Sequence, residues 1–277
     1  MLDKDSIKKY LDTSWAGSEI IYKEVTDSTN NDAGDLAAEG AAHGTLVVAD
    51  RQDRGRGSRG RSWETPPGSN IAMSLILRPT APAERISMLT LVMGLSVAEG
   101  VELALAETAD SSFPKDEGES RVMIKWPNDI VIGRRKICGI LTELHMNSDN
   151  TIRDVVIGVG INVNMTDFPE EIREIAGSLL TQTGRRVDRS LVVARCMERF
   201  EDNYGRYQKS YDLSLLRDQY EKRLINRGER VRILDPKDGF EGTALGITDM
   251  GELKVDAGEI RVVGAGEVSV RGLYSYA

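Results

Sequence analysis

Metal-binding side chains are scarce in this sequence, which has only two cysteines, Cys138 and Cys196, and two histidines, His43 and His145. They do not cluster at the spacing of a zinc site, so we predict no metal centre built on these ligands. Two cysteines also form no disulfide framework, and we expect two buried, reduced thiols instead.

Signals for secretion or membrane insertion are missing as well. The first fifteen residues, MLDKDSIKKYLDTSW, lack the apolar segment of a signal peptide. The apolar runs near 86–98 and 155–161 are too short or too interrupted to cross a bilayer. We therefore expect a cytoplasmic protein with no membrane partner.

The sequence has no excess of basic residues, since 36 lysines and arginines face 44 acidic residues and the net charge is −8. Nucleic-acid-binding proteins usually carry a basic excess because they neutralise phosphates, so the composition disfavours that class. Small anionic ligands need only a local basic patch. The Walker motif GxxxxGK[ST] is also absent.

The pattern along the 277 residues predicts a larger α/β domain over 1–225 and a small β domain over 226–277. Strands are predicted over 19–25, 45–49, 70–78, 121–126, 129–132, 136–146 and 151–164. Helices are predicted over 30–40, 83–106, 170–182, 188–208 and 213–225, and the helix over 83–106 is expected to be amphipathic. Segments 51–69 and 108–120 are predicted loops. Five short strand-like runs separated by glycine turns over 228–277 favour a small β-barrel.

Residues 51–61 read RQDRGRGSRGR and form a basic, glycine-rich loop. Five arginines face one acid, Asp53, which leaves a local charge of +4. Guanidinium groups bind phosphate through forked hydrogen bonds, and glycines let backbone N–H groups approach a ligand closely. The loop fits a clamp for a polyphosphate, and taken alone it fits an RNA contact equally well.

Two neighbouring segments, RVMIKWPND at 121–129 and RKICGILTE at 135–143, place polar residues at the ends of predicted strands. A β-hairpin that turns at Gly133-Arg134 would bring Asp129 close to Lys136. A lysine between a carboxylate and a phosphate stabilises the charge that develops when an acyl-adenylate forms, and Asp129 could orient an incoming amine. On spacing alone, an ordinary hairpin salt bridge is the simpler explanation.

The segment DVVIGVGINVN at 154–164 contains two closely spaced glycines, Gly158 and Gly160. A dinucleotide-binding fingerprint would need a third glycine and a following helix, whereas INVN continues as strand. Glycines inside a strand leave room for a flat ligand against the sheet, or simply for close packing. Asn162 could offer its amide to an adenine edge.

Five motifs together, in this order, resemble those of the biotin protein ligase family. They are DSTN at 27–30, QxxGRGxxGRxW at 52–63, KWPND at 125–129, RKxxGILxE at 135–143 and GxGIN at 158–162. The resemblance implies an α/β catalytic domain with a mixed sheet, followed by a small SH3-like β-barrel. It also implies two half-reactions. Biotin and Mg·ATP give biotinyl-AMP and pyrophosphate, and a lysine of a biotin carboxyl carrier protein then accepts the biotin and AMP is released.

The same resemblance assigns roles to single residues. Contacts with biotin are expected from Ser28, Thr29, Asn30, Gln52, Gly55, Arg56, Gly57, Ser58, Lys136, Gly139, Gly158 and Gly160. Contacts with ATP are expected from Arg56, Arg59, Arg61, Trp63, Lys125, Asn128 and Asn162. Catalytic roles are expected for Lys136, Asp129 and Arg56. No residue is assigned as a ligand of the Mg²⁺ ion.

One position departs from the family pattern. The loop usually reads GRGRxGR in the family, and here Ser58 stands at the fourth position. A guanidinium that would pair with the phosphoryl region is missing there, and Arg59 is a candidate substitute. The resemblance therefore predicts that the loop holds the adenylate less tightly than the usual loop does.

Two alternatives remain open at this point. A lipoate ligase would share the fold and the adenylating chemistry, and an RNA-binding protein would use the arginine loop without ATP. About 26 residues precede DSTN, too few for a helix-turn-helix module, so no DNA partner is expected. The carrier is expected to belong to acetyl-CoA carboxylase or a similar enzyme, and a homodimer formed through a sheet edge is one option for the oligomeric state.

Overall fold

The computed structural model describes residues 2–108, 121–235, 238–264 and 269–272. Beyond Thr108, the predicted loop over 108–120 lies outside the described residues. Up to residue 161, the described part of the chain forms seven strands: β1 (Ile20–Thr26), β2 (Leu46–Gln52), β3 (Ile71–Leu77), β4 (Met123–Lys125), β5 (Asp129–Ile132), β6 (Arg135–Met146) and β7 (Ile152–Ile161). The α-helices are α1 (Lys4–Lys8), α2 (Thr29–Ala38), α3 (Leu89–Thr108), α4 (Leu179–Thr183), α5 (Arg189–Tyr207) and α6 (Arg217–Arg223).

These seven strands form one mixed sheet in the order β1-β2-β3-β7-β6-β5-β4. Strands β1 and β2 are parallel because α2 carries the chain back between them, and each remaining neighbour pair is antiparallel. The mixed sheet predicted from the motifs is therefore confirmed.

Helix α3 lies between the sheet and α5 and supplies much of the main core. It is apolar nearly all round, so the predicted amphipathic pattern was wrong; a helix covered on both sides needs no polar face. The stretch Ala83–Thr108 is in fact long and apolar enough to cross a membrane, but 78% of its most apolar part is buried inside this fold. Cys138 and Cys196 are buried and free, as predicted.

On the opposite face of the sheet, α2 covers only part of the surface. Ala33 and Ala37 pack on Val47, Ile76 and Val156 in a small second core. The small alanine side chains bring the helix close to the strands. Next to this core, the face of β3, β7 and β6 lies beside the arginine–glycine loop rather than beneath a helix.

Two predicted helices are much shorter than expected. In the segment 170–182 only Leu179–Thr183 is helical, because Ser178 caps the helix at that point and residues 175–177 pair with the backbone of Lys136 instead. In the segment 213–225 only Arg217–Arg223 is helical, and Leu213 donates its backbone N–H to the carbonyl of Asp249. In both cases contacts with distant residues override the local periodicity.

The described residues of the C-terminal part form five strands, as predicted. They are β8 (Arg230–Leu234), β9 (Phe240–Ile247), β10 (Leu253–Asp256), β11 (Ile260–Val263) and β12 (Ser269–Gly272), and they form an antiparallel sheet in the order β11-β10-β9-β8-β12. Trp126 connects the two parts of the chain. Its indole N–H donates a hydrogen bond to the carbonyl of Gly251 at 2.9 Å, and its backbone N–H donates one to the side chain of Asn226 at 2.9 Å. The domain boundary at 226 stays a prediction.

Candidate active site

The floor of the site is formed by β3, β7 and β6, whose register aligns their residues in three rows: Ala72–Gly160–Gly139, Ser74–Gly158–Leu141 and Ile76–Val156–Glu143. A Cβ atom at Gly158 would lie 2.0 Å from Oδ1 of Asn30, and one at Gly160 would lie 2.3 Å from Nε1 of Trp63. The glycines therefore admit these two side chains against the sheet. Two roles were foreseen for these glycines, room for a flat ligand and close packing; the approach of Asn30 and Trp63 is close packing, and contact with a ligand stays a prediction.

The N-terminus of α2 lies at one end of this floor. Ser28 is the N-cap residue, but its side chain makes no capping hydrogen bond and lines the pocket. The backbone N–H and the hydroxyl of Thr29 both lie within hydrogen-bonding distance of Oε1 of Gln52, at 2.9 and 3.1 Å. Gln52 thereby ties the first turn of the helix to the end of β2. The positive end of the helix dipole and the Ser28 hydroxyl remain directed at the pocket.

Asn30 is buried in the first turn of α2. Its Oδ1 accepts a hydrogen bond from Ser74 at 2.6 Å, and its Nδ2 donates to Glu143 at 2.7 Å and to the carbonyl of Leu141 at 3.3 Å. The amide is thus largely used inside the protein. Asn30 lines the pocket as predicted, and its contacts fix the position of the helix on the sheet.

The arginine–glycine loop folds back on itself above the floor. The backbone N–H of Gly57 donates to the carbonyl of Arg61 at 2.7 Å, and that of Trp63 donates to Gly55 at 2.9 Å. The indole of Trp63 then lies over Gly160, and its Nε1 is buried without a hydrogen-bond partner among the described residues. A buried N–H without an acceptor is costly, so this atom points to a ligand that supplies one.

Lys136 and Asp129 meet as the hairpin prediction required. Gly133 and Arg134 have φ values of 55° and 63°, which the tight turn between β5 and β6 demands. Asp129 pairs with Gly139 in the ladder, and Nζ of Lys136 lies 2.6 Å from Oδ1 of Asp129. Regular alternation would put residues 136 and 139 on opposite faces. A bulge between them brings the lysine onto the face of Gly139.

Lys125 is buried behind this pair, at the end of β4 and opposite Asp129 in the ladder. Its pKa is lowered from 10.5 to about 7, mainly by burial, although the charge of Asp129 acts in the opposite direction. The positive charges of Arg271, Lys136 and Arg61 contribute to this lowering. Lys125 belongs to a cluster of cations that favours an anionic ligand.

This burial predicts a pH-dependent stability. The unfolded chain keeps the proton of Lys125 up to about pH 10.5 and the folded protein releases it near pH 7, so stability rises with pH through that window. Compared with Lys125→Met, the wild type should gain as much as about 1.4 kcal/mol of unfolding free energy per pH unit above pH 7. Denaturant unfolding at pH 7, 8 and 9 measures the difference. Parallel pH profiles for the two proteins would contradict it.

Two adjoining pockets collect most of the predicted residues. The first lies on the glycine floor, and every predicted biotin contact lines it except Gly55, which packs under the backbone of Trp63. The second, of about 470 Å³, is walled by residues 165–176 and also contains Arg61 and Asn162. The two pockets share four of their lining residues: Gly57, Ser58, Trp63 and Lys136.

Some of the residues predicted to contact ATP do not line the second pocket. Asn128 and Arg56 line the first pocket, Lys125 lines neither, and the side chain of Arg59 lies outside the described part of the structure. Asn162 lines the second pocket, but its amide accepts from Asn70 at 3.1 Å and donates to the carbonyl of Gly177 at 3.0 Å. In this arrangement Asn162 holds the pocket wall in place.

Three features of the site were not predicted. Glu143 binds Arg56 and Asn30, Ser74 binds Asn30, and residues 165–176 supply an apolar wall with Phe168 and Ile172. Glu143 ends the RKxxGILxE motif, so a signal for it was present. The wall was mistaken for helix, and its function depends on pairing with a distant strand.

Two known protein-family patterns match this chain, one in each of its two parts. The pattern of the biotin/lipoate A/B protein ligase family matches residues 22–162, and that of the biotin protein ligase C-terminal domain matches residues 228–271. The bifunctional ligase/repressor BirA of Bacillus spizizenii is 38% identical over 260 residues, which cover 93% of this chain and 75% of that protein. The chain belongs to the biotin protein ligase family.

Other members of the family align over nearly their whole length. The biotin–[acetyl-CoA-carboxylase] ligase of Mycobacterium tuberculosis is 31% identical, with 97% of this chain and 98% of that protein covered. The biotin protein ligase of Aquifex aeolicus, solved in complex with biotin and ATP, superimposes with a TM-score of 0.76 at 30% identity, over 92% of this chain and 99% of that one. The fold predicted from the motifs is thereby confirmed for both parts of the chain.

Proposed function

We propose that this protein is an ATP-dependent ligase that activates biotin as biotinyl-5′-AMP and transfers it to a lysine of a carrier protein. The observation that carries the proposal is the meeting of two pockets at Lys136, one on the glycine floor and one behind the arginine loop. Such an arrangement lets a carboxylate in one pocket meet a nucleotide phosphate from the other.

The first pocket is proposed to hold biotin. Its inner end offers the Ser28 hydroxyl and the Thr29–Gln52 pair to the polar groups of the ring system, and the indole of Trp63 and the glycine rows supply apolar surface. Lys136 stands at the end shared with the second pocket, where the carboxylate would lie. This direction follows from charge, because the lysine and the arginine loop attract the anionic end of biotin.

The second pocket is proposed to hold ATP. Phe168 and Ile172 give an apolar wall for the base, and Arg61 lies on the side nearer the loop, where the phosphates would bind. The described residues contain no group of three or more histidine, cysteine or acidic side chains able to hold a metal. A Mg²⁺ ion that enters with ATP is held largely by phosphate oxygens and water, so we assign it no protein ligand.

The first half-reaction joins the two ligands. A carboxylate oxygen of biotin attacks the α-phosphorus of ATP, the bond to the bridging oxygen breaks, and pyrophosphate leaves with both electrons of that bond. Lys136 lies between the reacting groups and is proposed to stabilise the negative charge that builds on the phosphoryl oxygens. Asp129, 2.6 Å away, keeps the ammonium group in place.

In the second half-reaction the amine of a carrier lysine attacks the carbonyl carbon of the mixed anhydride. AMP leaves, an amide forms, and the amine loses a proton. Asp129 is proposed to accept or orient that proton, since its side chain is only 13% exposed and lies beside the reacting carboxyl group. A biotin carboxyl carrier domain, of acetyl-CoA carboxylase or a similar enzyme, is the proposed acceptor.

Substrate choice separates this proposal from the lipoate alternative. The family pattern over 22–162 includes lipoate ligases, whereas the C-terminal match is to biotin protein ligases. Pyrophosphate release should therefore depend on biotin. Lipoate is tested in a parallel assay and should not support release. Release with lipoate alone would keep the chemistry and overturn the substrate, and release with neither would overturn the function. A cytoplasmic location, a homodimer through a sheet edge and the absence of a DNA partner stay predictions.

Ser58 is expected to weaken retention of the adenylate. It lines both pockets, and its carbonyl and hydroxyl oxygens lie 3.2 and 3.3 Å from the guanidinium of Arg61. Ser58→Arg would add a second cation there and should slow the release of biotinyl-AMP about tenfold, the equivalent of one charge-assisted hydrogen bond. Release is followed after rapid dilution, with Ser58→Ala as the uncharged control. Equal release rates for the wild type and Ser58→Arg would refute the prediction.

A further inference from the structure

Glu143 occupies a place in the site that the two half-reactions above do not use. It lies in the third row of the floor, opposite Val156, at the edge of the first pocket. Its Oε2 accepts a hydrogen bond from the guanidinium of Arg56 at 2.7 Å and one from Nδ2 of Asn30 at 2.7 Å. A single carboxylate oxygen thus connects the arginine loop, the sheet and the first turn of α2.

Without this contact, the position of Arg56 would be poorly determined. The residue stands between Gly55 and Gly57, and its side chain is 43% exposed. An arginine side chain loses much rotamer entropy when it is ordered, and the flanking glycines carry no side chains that would restrict it. The Glu143 side chain is held by Asn30, which Ser74 holds in turn.

The hydrogen bonds also leave donors of Arg56 available. A guanidinium carries five N–H donors, and the contact with Glu143 uses one of its terminal nitrogens. The other donors can meet a carboxylate or phosphate in the pocket. Because the guanidinium of Arg56 pairs with the Glu143 carboxylate at 2.7 Å, the negative charge of Glu143 is balanced and repels an anionic substrate less.

We propose that Glu143 is a positioning residue for adenylation: it holds Arg56 over the first pocket before the substrates arrive, and it acts through that arginine alone. This inference rests on the proposed function, in which the arginine loop that contains Arg56 attracts the anionic end of biotin. Its effect is preorganisation, since a donor already in place loses no further freedom as the reaction proceeds.

The experiment is a double-mutant cycle on single-turnover formation of biotinyl-AMP. Glu143→Gln keeps the size of the side chain and an acceptor for Asn30 while it removes the charge that attracts Arg56. We expect the rate to fall about tenfold in the wild-type background and to stay unchanged in the Arg56→Ala background. Glu229→Gln, which removes the carboxylate of an exposed ion pair with Arg134, serves as the matched control.

Each outcome decides the proposal. A rate that falls equally in both backgrounds would mean that Glu143 acts on the fold rather than on Arg56, and thermal unfolding of the four proteins would show the same loss. An unchanged or faster rate for Glu143→Gln would mean that the carboxylate has no role or competes with substrate. A wild type that forms no adenylate would overturn the proposed function and this inference with it.

Discussion

Replacement of Lys136 by alanine is expected to lower biotin-dependent pyrophosphate release by about 10²- to 10³-fold, the usual cost of removing a charge-stabilising donor from an active site. Its Nζ lies 2.6 Å from Asp129 and 5.5 Å from the centre of the Trp63 ring, and its side chain lines both pockets. Alanine also removes the Lys136 cation from the carboxylate of Asp129, next to the place where another carboxylate must bind. The affinity for biotin should therefore fall as well.

The chain contains a matched control for this variant. Lys23 lies 2.6 Å from Asp32, the same separation as in the Lys136–Asp129 pair, but it lies outside both pockets. Lys23→Ala should leave pyrophosphate release within about twofold, because this half-buried ion pair lies away from both pockets and pairs near the surface contribute only about 1 kcal/mol or less to stability. If both variants lose activity alike, or neither does, the assignment of Lys136 to the reaction is wrong.

The second large effect is expected from Gly160→Ala. The added Cβ would lie 2.3 Å from Nε1 of Trp63, so the indole must leave the floor between the two pockets. A displacement of about 1 Å near reacting groups can cost about 100-fold in rate, and we expect a loss of that size in pyrophosphate release. Tryptophan fluorescence should change at the same time, since the indole moves toward solvent.

Gly205→Ala is the control for this change. Gly205 lies inside α5, and among the described residues no atom from outside its own helix turn lies within 4 Å of the position of its Cβ. Alanine there should stabilise the protein by about 0.5–1 kcal/mol and leave activity as it is. Full activity in Gly160→Ala would show that the Trp63 position does not matter for the reaction.

Sequence patterns predicted correctly those contacts whose two partners lie close together in the chain. The Gly133-Arg134 turn joins two short strands, so the approach of Lys136 to Asp129 followed from local geometry. The bulge that brings the lysine onto the pocket face did not follow, because it depends on how β6 pairs with both neighbouring segments. The motifs identify Lys136 and Asp129, and the strand register places both side chains on the same face of the sheet.

Where the prediction failed, distant contacts decide the structure. Residues 170–177 have a helical pattern, yet the backbone of Lys136 pairs with residues 175–177, with hydrogen bonds of 2.8 and 2.9 Å to Ile175 and Gly177. The amide of Asn162 is bound by Asn70, 92 positions away in the chain, a contact that was not foreseen; Asn162 lines the second pocket, and its contact with adenine stays a prediction. No local pattern reports such pairings.

The glycines of β7 were expected to leave room for a flat ligand or for close packing. Gly158 and Gly160 both line the first pocket, and their contact with biotin stays a prediction. The groups that approach are the side chains of Asn30 and Trp63, which come from a helix and a loop far along the chain. A glycine in a strand indicates that something comes near, and only the fold identifies it.

The most direct test of the account uses ATP labelled at the α-phosphate. The protein, biotin and Mg·ATP are mixed without a carrier, and the labelled products are separated. We expect labelled biotinyl-AMP that forms only when biotin is present and is lost in Lys136→Ala. Addition of a biotin carboxyl carrier domain should convert it to labelled AMP. Labelled ADP in place of the adenylate, or no labelled product from folded wild-type protein, would contradict it.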